Sequence, residues 1–435
     1  MKKTLLILSS ILLSLLSVNG CGGKAPEETH MPEENAEVTE TAEQTDGETL
    51  FQTEETETQS VPEKTTVKVD NLGIKRTAAD SAISKEPGDF PHLGYYGWPS
   101  VAVDENDVTY VVVSKRLLHI DPYGKVMLYR SRDKGKTWDE GKCLIDTILD
   151  DRDAGILYLG NGKLLVTTFS HDTSLYINNE DRMYTHWQEK VGEAEKQKVL
   201  DAWASASETE KTGVSSYIIS NDYGETWSDI KLSPVSAPHG PSLMNDGTVM
   251  YVGVPKSPKL ATGETLEYGI YCYVSTDGGE SFVRRSQIDV DRDLGPCEPY
   301  ALQLEDGTIV ATIRTESFST LIAKSYDNGY TWTTPKKVTY GAPAHLLQTP
   351  DGMLIMSYSK RKDNTGQFIR FSGDGGESWA DEICISSPGR VGDVDLGYPA
   401  TARYSDGNFI TVYYQRTDQD VKPALMRTLW KLTNK

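Results

Sequence analysis

The chain has 435 residues, with 44 Lys and Arg against 64 Asp and Glu, for a formal net charge of −20. A quarter of the residues are charged and 37% are hydrophobic, enough to build the core of a domain of a few hundred residues. The acidic balance argues against a nucleic-acid partner, and the five cysteines show no zinc-type spacing, so no metal or cofactor is expected.

Lys2 and Lys3 precede an apolar run from Leu5 to Val18. That pattern is an export signal over residues 1–20, and the run is too short for a comfortable transmembrane helix. Val18-Asn19-Gly20-Cys21 puts a small residue directly before a cysteine, which resembles the lipobox of bacterial lipoproteins. The resemblance implies lipidation of Cys21 and a chain anchored to a membrane rather than spanning it; cleavage as an ordinary secreted protein is the alternative. Residues 21–83 are dominated by Glu, Thr, Pro and Gln. Within them, residues 22–70 carry fourteen acids and three lysines, a net of −11 and over half of the chain's charge. Such a segment cannot bury enough apolar surface to fold, and a disordered tether is expected.

Residues 84–435 read as one all-β domain. Six hydrophobic runs are each entered through a turn, at Asp104, Gly160, Asn245, Glu305, Pro350 and Ser405. Asn-Gly and Asp-Gly before β-rich runs are strong hairpin signals. Five of the hairpins are followed by Ser-x-Asp-x-Gly-x-(Thr/Ser)-(Trp/Phe), beginning at Ser131, Ser220, Ser275, Ser325 and Ser372. The aspartates lie 89, 55, 50 and 47 residues apart, which marks a repeat architecture. Asp and Ser can bond the backbone of a tight turn, Gly permits positive φ, and the aromatic is expected to pin the turn to its own sheet. These residues staple hairpins and are not the expected active site. Six hairpins of this kind predict six four-stranded blades around an axis. The last blade lacks the turn motif and is expected to close the ring with help from the start of the domain. Residues 171–213 separate the second and third hairpins and read as a surface insertion, with a helix over Val191–Trp203. Cys143, Cys272, Cys297 and Cys384 are expected to be mainly buried thiols.

This arrangement resembles the sialidase (neuraminidase) superfamily, six-bladed propellers carrying repeated Asp boxes, over about residues 90–435. The resemblance implies a ligand site at one end of the central channel, and it transfers residue by residue. Cys297-Glu298 leads into the Asp306-Gly307 hairpin and reaches Arg314, sixteen residues after the glutamate. Glu298 is thereby the carboxylate that activates a tyrosine, and Arg314 one arginine gripping a substrate carboxylate. Tyr398, in Gly397-Tyr398-Pro399, resembles the tyrosine nucleophile. Arg361, with Arg370 as competitor, matches a further arginine. Arg116 and Asp121 precede the first Asp box in the order of an arginine and the acid/base aspartate. One departure stands out: Gly97 or Trp98 occupies the place of the family's first arginine. Asp153, His239 and His345 sit in similar positions before strands and His119 lies near Arg116; all four are candidates for sugar contacts or for an alternative acid/base.

The resemblance implies an exo-acting glycoside hydrolase that retains configuration through the Tyr398/Glu298 pair, on sialic acid or another terminal sugar. The alternative is a surface propeller that binds glycans without cleaving them. A monomer is the default for a tethered propeller.

Overall fold

The computed structural model describes residues 75–84, 94–173, 192–211, 215–256, 266–386, 392–416 and 420–433. The chain divides into Met1–Lys64 and Thr65–Lys435, and every described residue belongs to the second unit. The export signal, Cys21, most of the linker and residues 174–191 of the insertion lie outside the described residues.

Among the described residues, twenty-four strands form six four-stranded antiparallel sheets. Strand β1 is Lys75–Ser84. The first blade is β2 (Tyr95–Val103), β3 (Thr109–Arg116), β4 (Lys125–Ser131) and β5 (Lys142–Ile145). The second is β6 (Asp150–Gly160), β7 (Lys163–His171), β8 (Ser215–Ser220) and β9 (Lys231–Leu232). The third is β10 (Ser242–Leu243), β11 (Val249–Gly253), β12 (Ile270–Ser275) and β13 (Val283–Ile288). The fourth is β14 (Cys297–Gln303), β15 (Ile309–Arg314), β16 (Ser319–Ser325) and β17 (Lys336–Tyr340). The fifth is β18 (His345–Gln348), β19 (Leu354–Lys360), β20 (Gly366–Ser372) and β21 (Ile383–Cys384). The sixth is β22 (Gly397–Arg403), β23 (Asn408–Gln415) and β24 (Ala424–Lys431), with β1 as its fourth strand.

Each first strand lies beside those of the neighbouring blades, so β2, β6, β10, β14, β18 and β22 make a closed inner ring. The second strands are runs of β-branched and aromatic residues buried on both faces, such as Tyr110-Val-Val-Val113 in β3. Their turns are built as expected: Asp104, Asp246, Asp306 and Asp406 each accept a backbone N–H two residues on at 2.9–3.0 Å.

The ring is closed by β1, which pairs antiparallel with β24. Help from the start of the domain was expected, but the strand that supplies it lies within the 21–83 stretch assigned to the linker. The folded ring therefore begins at least as early as Lys75. Pairing covers the edge of β24, which would otherwise be an open template for other chains. In the insertion, α1 (Glu193–Ser205) and the single turn α2 (Glu208–Lys211) are helical, and α1 falls where the helix was expected.

The five Asp boxes repeat one set of four bonds. The Ser hydroxyl donates to the Asp at 2.6–2.8 Å. The Gly N–H donates to the Ser oxygen at 2.7–2.9 Å. The Thr or Ser that follows gives its N–H to one Asp oxygen at 2.8–3.0 Å and its hydroxyl to the other at 2.5–2.7 Å. Gly135, Gly224, Gly279, Gly329 and Gly376 hold φ of 75–91° in these turns, a region that disfavours a Cβ.

The box aromatics do more than hold their own sheets. Trp138 packs on a cluster shared with the sixth blade, Trp227 on one shared with the first, and Phe282 on Leu165, Tyr217 and Ile219 of the second. Trp332 and Trp379 likewise join the fourth blade to the third and the fifth to the fourth. Each is thus a wedge against the preceding blade. The sixth blade has no box, and Trp430 of β24 takes over. It stacks on Phe409 at 4.3 Å and meets Phe371 of the fifth blade at 6.5 Å.

Among the described residues no disulfide joins the cysteines, and only Cys272 is buried. The expectation of mainly buried thiols fails because Cys143, Cys297 and Cys384 sit on first or last strands, at the margins of their sheets.

Candidate active site

Four of the six inner strands share one irregularity. Gly97 pairs with Ser114 and Ser100 with Val112, so three steps along β2 oppose two along β3. The same slip occurs between Arg152 and Gly155, Cys297 and Tyr300, and Gly397 and Ala400. In each case the residue entering the bulge has positive φ: Trp98 55°, Asp153 40°, Glu298 45° and Tyr398 57°. Three of them precede proline, as Trp98-Pro99, Glu298-Pro299 and Tyr398-Pro399. Proline cannot donate to the ladder, and a bulge is where a sheet tolerates it. Left-handed backbone at such residues costs about 1–3 kcal/mol each. The bulges re-aim their side chains, and this brings together four residues that lie up to 300 positions apart.

Tyr398 Oη donates to Glu298 Oε1 at 2.6 Å. The other carboxylate oxygen accepts from Arg314 Nη1 at 2.6 Å, and the same nitrogen lies 3.3 Å from Tyr398 Oη. Burial would raise the Glu298 carboxyl, but the Arg314 guanidinium and the Tyr398 hydroxyl outweigh it and hold the group below the usual carboxylate range. Burial and the Glu298 charge push the Tyr398 phenol well above its ordinary value. At rest the pair is thus an ionised carboxylate hydrogen-bonded to a protonated phenol, the ground state of a general base and its nucleophile.

Arg361 directly follows β19. Its Nε donates to the Leu396 carbonyl at 3.0 Å and its Nη2 to Tyr414 Oη at 3.1 Å. Arg314 and Arg361 both lie over the Phe318 ring, at 4.7 and 4.6 Å. The competitor Arg370 donates instead to carbonyls of Trp379 and Ala380 beside the last Asp box. Arg116 is fully buried and paired with Asp150 at 2.6 Å, and it also donates to Ser114 Oγ and the Asp151 carbonyl. Arg152 pairs with the second Asp150 oxygen at 3.1 Å. Both guanidiniums lie over the Trp98 ring, at 4.6 and 4.1 Å. The indole that stands in place of the family's first arginine is therefore covered by two guanidiniums that share one aspartate.

Trp98 also meets the rings of Tyr398, Tyr414, Tyr95 and His119 at 5.2–6.4 Å. His119 Nδ1 lies 3.0 Å from Asp395 Oδ1 and 2.8 Å from Tyr95 Oη. Asp121 is fully buried, and its two oxygens accept backbone N–H groups of Leu117 and Tyr123 within its own turn. No contact joins it to Tyr398 or Glu298 among the described residues. Burial pushes its carboxyl up to about 6. Asp153 is close enough for its carboxyl to be raised by burial and by the Glu298 charge, against the pull of Arg152. His239 and His345 pack behind Tyr398: His239 lies 6.4 Å from its ring, and His345 stacks on Tyr300 at 4.5 Å. Burial lowers His239 to about 3 and His345 well below its ordinary value, so both form a neutral aromatic floor.

Sequence reasoning did not single out Tyr95, Asp395 or Tyr414. A signal for the ring existed in the recurring X-Pro at the start of first strands. Nothing local marks Asp395, which reaches His119 across 276 positions.

The BNR repeat-like domain family matches residues 194–411. No curated protein matches the sequence. Among solved structures, a protein of unknown function from Dyadobacter fermentans is 18% identical with a TM-score of 0.65, covering 83% of this chain and 100% of its own. The intramolecular trans-sialidase from Ruminococcus gnavus, in complex with oseltamivir carboxylate, is 14% identical with a TM-score of 0.56, covering 82% and 99%. Trypanosoma rangeli sialidase is 13% identical with a TM-score of 0.53, and the match covers 82% of this chain but only 59% of that one. At such identities the likeness concerns the fold.

Proposed function

The chain belongs to the BNR repeat-like domain family, and from that premise we propose that it is a retaining, exo-acting glycoside hydrolase with Tyr398 as nucleophile and Glu298 as its base. The observation that carries the reading is the 2.6 Å bond from Tyr398 Oη to Glu298 Oε1, with Arg314 closing the triangle. Tyrosine nucleophiles are a known exception to the two-carboxylate pattern of glycosidases. As the phenol oxygen attacks the anomeric carbon, its proton passes to Glu298. Arg314 keeps the carboxylate aligned and stabilises charge developing on the phenol oxygen.

The sugar we favour lacks a carboxylate. Trp98 replaces one arginine of the expected cluster, Arg116 is committed to Asp150, and Arg314 is committed to Glu298. Arg152 is held by Asp150 and the His119 carbonyl, and Arg361, the one member of the expected cluster with no carboxylate partner among the described residues, is a weak basis for gripping an anionic sugar, because bidentate recognition gains from a fork left open to the ligand. The export signal and the lipobox-like Val18–Cys21 segment support placement of a monomeric, lipid-anchored enzyme outside the cytoplasm, among glycans.

Full-length protein is assayed against 4-methylumbelliferyl glycosides of galactose, glucose, mannose, fucose, rhamnose, N-acetylhexosamines and sialic acid, beside Tyr398→Phe. Turnover of a neutral glycoside that the substitution abolishes is the expected result. Turnover of the sialoside alone would sink the neutral-sugar reading. No turnover by folded protein would replace the enzyme with a glycan-binding propeller.

A further inference from the structure

A retaining glycosidase needs a second group that protonates the leaving oxygen and then activates water. Asp121 was the expected donor, but its carboxylate is spent on the N–H groups of Leu117 and Tyr123 and has no exposed surface. Two residues earlier on the same loop, the imidazole of His119 has the opposite setting. Its side chain is 36% exposed, and that of its partner Asp395 is 26% exposed.

We propose that His119 is the general acid/base of the site, with Asp395 as its positioning residue, an inference that rests on the glycosidase reading above. Nδ1 faces Asp395 Oδ1 at 3.0 Å and Tyr95 Oη at 2.8 Å, while Tyr95 Oη donates to the same Asp395 oxygen at 2.7 Å. A carboxylate at Nδ1 fixes the proton there and leaves Nε2 as the working nitrogen. The ring stands edge-on to Trp98 at 5.2 Å, and Trp98 stands edge-on to Tyr398 at 6.4 Å. One indole therefore neighbours both the imidazole and the phenol.

The steps balance. In the first, the bond from Tyr398 Oη to the anomeric carbon forms and the glycosidic C–O bond breaks. Glu298 takes the phenol proton, and imidazolium Nε2 gives its proton to the leaving oxygen. In the second, neutral Nε2 takes a proton from water as the water oxygen attacks the anomeric carbon. Tyr398 departs and recovers its proton from Glu298. Water is the one co-reactant, and no atom changes oxidation state.

Asp153 is the competing donor, since it lies on the same ring of bulges beside Glu298. The groups facing the imidazole are Asp395, Tyr95 and Trp98. Arg116 and Arg152 donate to the His119 carbonyl at 3.4 and 3.1 Å, and Arg361 and Arg416 lie near Asp395.

The test uses phenyl and 2,4-dinitrophenyl glycosides of the sugar selected by the panel above. General acid catalysis contributes about 10²–10⁴-fold, so His119→Gln should lose that much on the phenyl glycoside. On the dinitrophenyl glycoside, whose leaving group needs no proton, the first step should fall by less than about tenfold. Sodium azide should restore turnover and yield the glycosyl azide. Asp395→Asn should lower kcat on the phenyl glycoside with KM little changed and spare the first step on the dinitrophenyl glycoside, because it leaves Nε2 in place but loses the group that orients it. Wild-type turnover of both substrates by His119→Gln would overturn the proposal, as would the leaving-group signature appearing in Asp153→Asn instead. If Tyr398→Phe also keeps activity, or if the wild type cleaves no glycoside, the glycosidase reading falls and the proposal falls with it.

Discussion

The outer turns and the inner ring are built from the same six-fold repeat and treat it in opposite ways. Around the outside, five turns carry the same Ser, Asp and Gly with the same bonds to within a few tenths of an ångström. On the inside, one bulge recurs on four strands, and the residue it presents differs every time: Trp98, Asp153, Glu298, Tyr398. Where a repeat keeps its residues, it solves one problem of stability several times. Where it keeps its backbone and varies its side chains, it assembles a site whose parts have different tasks. Strain follows the same division: the positive φ of the outer turns falls largely on glycine, whereas the inner ring places it on Trp, Asp, Glu and Tyr.

The sharpest way to break this contrast is at the inner ring. Tyr398→Phe and Glu298→Gln should each lower turnover by roughly 10³-fold or more while leaving the thermal unfolding midpoint nearly unchanged, since both replacements preserve shape. A comparable loss of stability in calorimetry would mean that the pair is structural. Next in size is the junction that has no Asp box. Trp430→Ala removes the ring that stacks on Phe409 and should cost about 3–5 kcal/mol in urea unfolding, with the catalytic rate of the remaining folded protein preserved.

A single outer turn should matter less. Asp133→Ala removes the acceptor of the Ser131 and Thr137 bonds but leaves four other boxes intact. Its expected effect is a drop of a few degrees in the unfolding midpoint and unchanged activity. The smallest effect is acidic. Asp133, Asp222, Asp277 and Asp327 are all held at about 2, below the ordinary 3.8. At Asp133 burial opposes the shift and the Thr137 bonds overcome it; at Asp222 and Asp327 bonds from the following Thr lead, and at Asp277 the Ser275 bond leads. A depressed carboxyl stabilises the fold above its unfolded value, and that contribution is lost as pH falls from about 4 to about 2. Exposure and screening make each increment modest. Urea midpoints at pH 4 and pH 2.5 should differ less in Asp133→Asn than in the wild type.

The outer turns were legible in the sequence because their bonds span at most four residues, so the motif carries its own geometry. The hairpins and the helix Glu193–Ser205 were legible for the same reason. Glu298, Arg314 and Tyr398 were named through the resemblance to the sialidases, which fixes them relative to a hairpin, a local relation once the repeat is recognised. What the aromatics of the boxes pack against was not legible, because a wedge on the preceding blade is a contact between repeats. Strand Lys75–Ser84 was hidden because it directly follows the acidic stretch of residues 22–70; its place depends on pairing with β24, more than 300 positions away. The commitment of Asp121 to its own turn was foreshadowed by Asp-Pro-Tyr-Gly, a sequence that also makes a good turn. Asp395 had no such sign, since its partners Tyr95 and His119 belong to another blade.

The most direct test of the central claim is intact-protein mass spectrometry after incubation with a 2-deoxy-2-fluoro glycosyl fluoride of the hydrolysed sugar. Slowed breakdown of the intermediate should leave one glycosyl unit on the enzyme. Peptide mapping should then place it on Tyr398, with no adduct in Tyr398→Phe. An adduct on Glu298 or Asp153, or steady hydrolysis of the sugar without any covalent species, would contradict a tyrosine nucleophile at the inner ring.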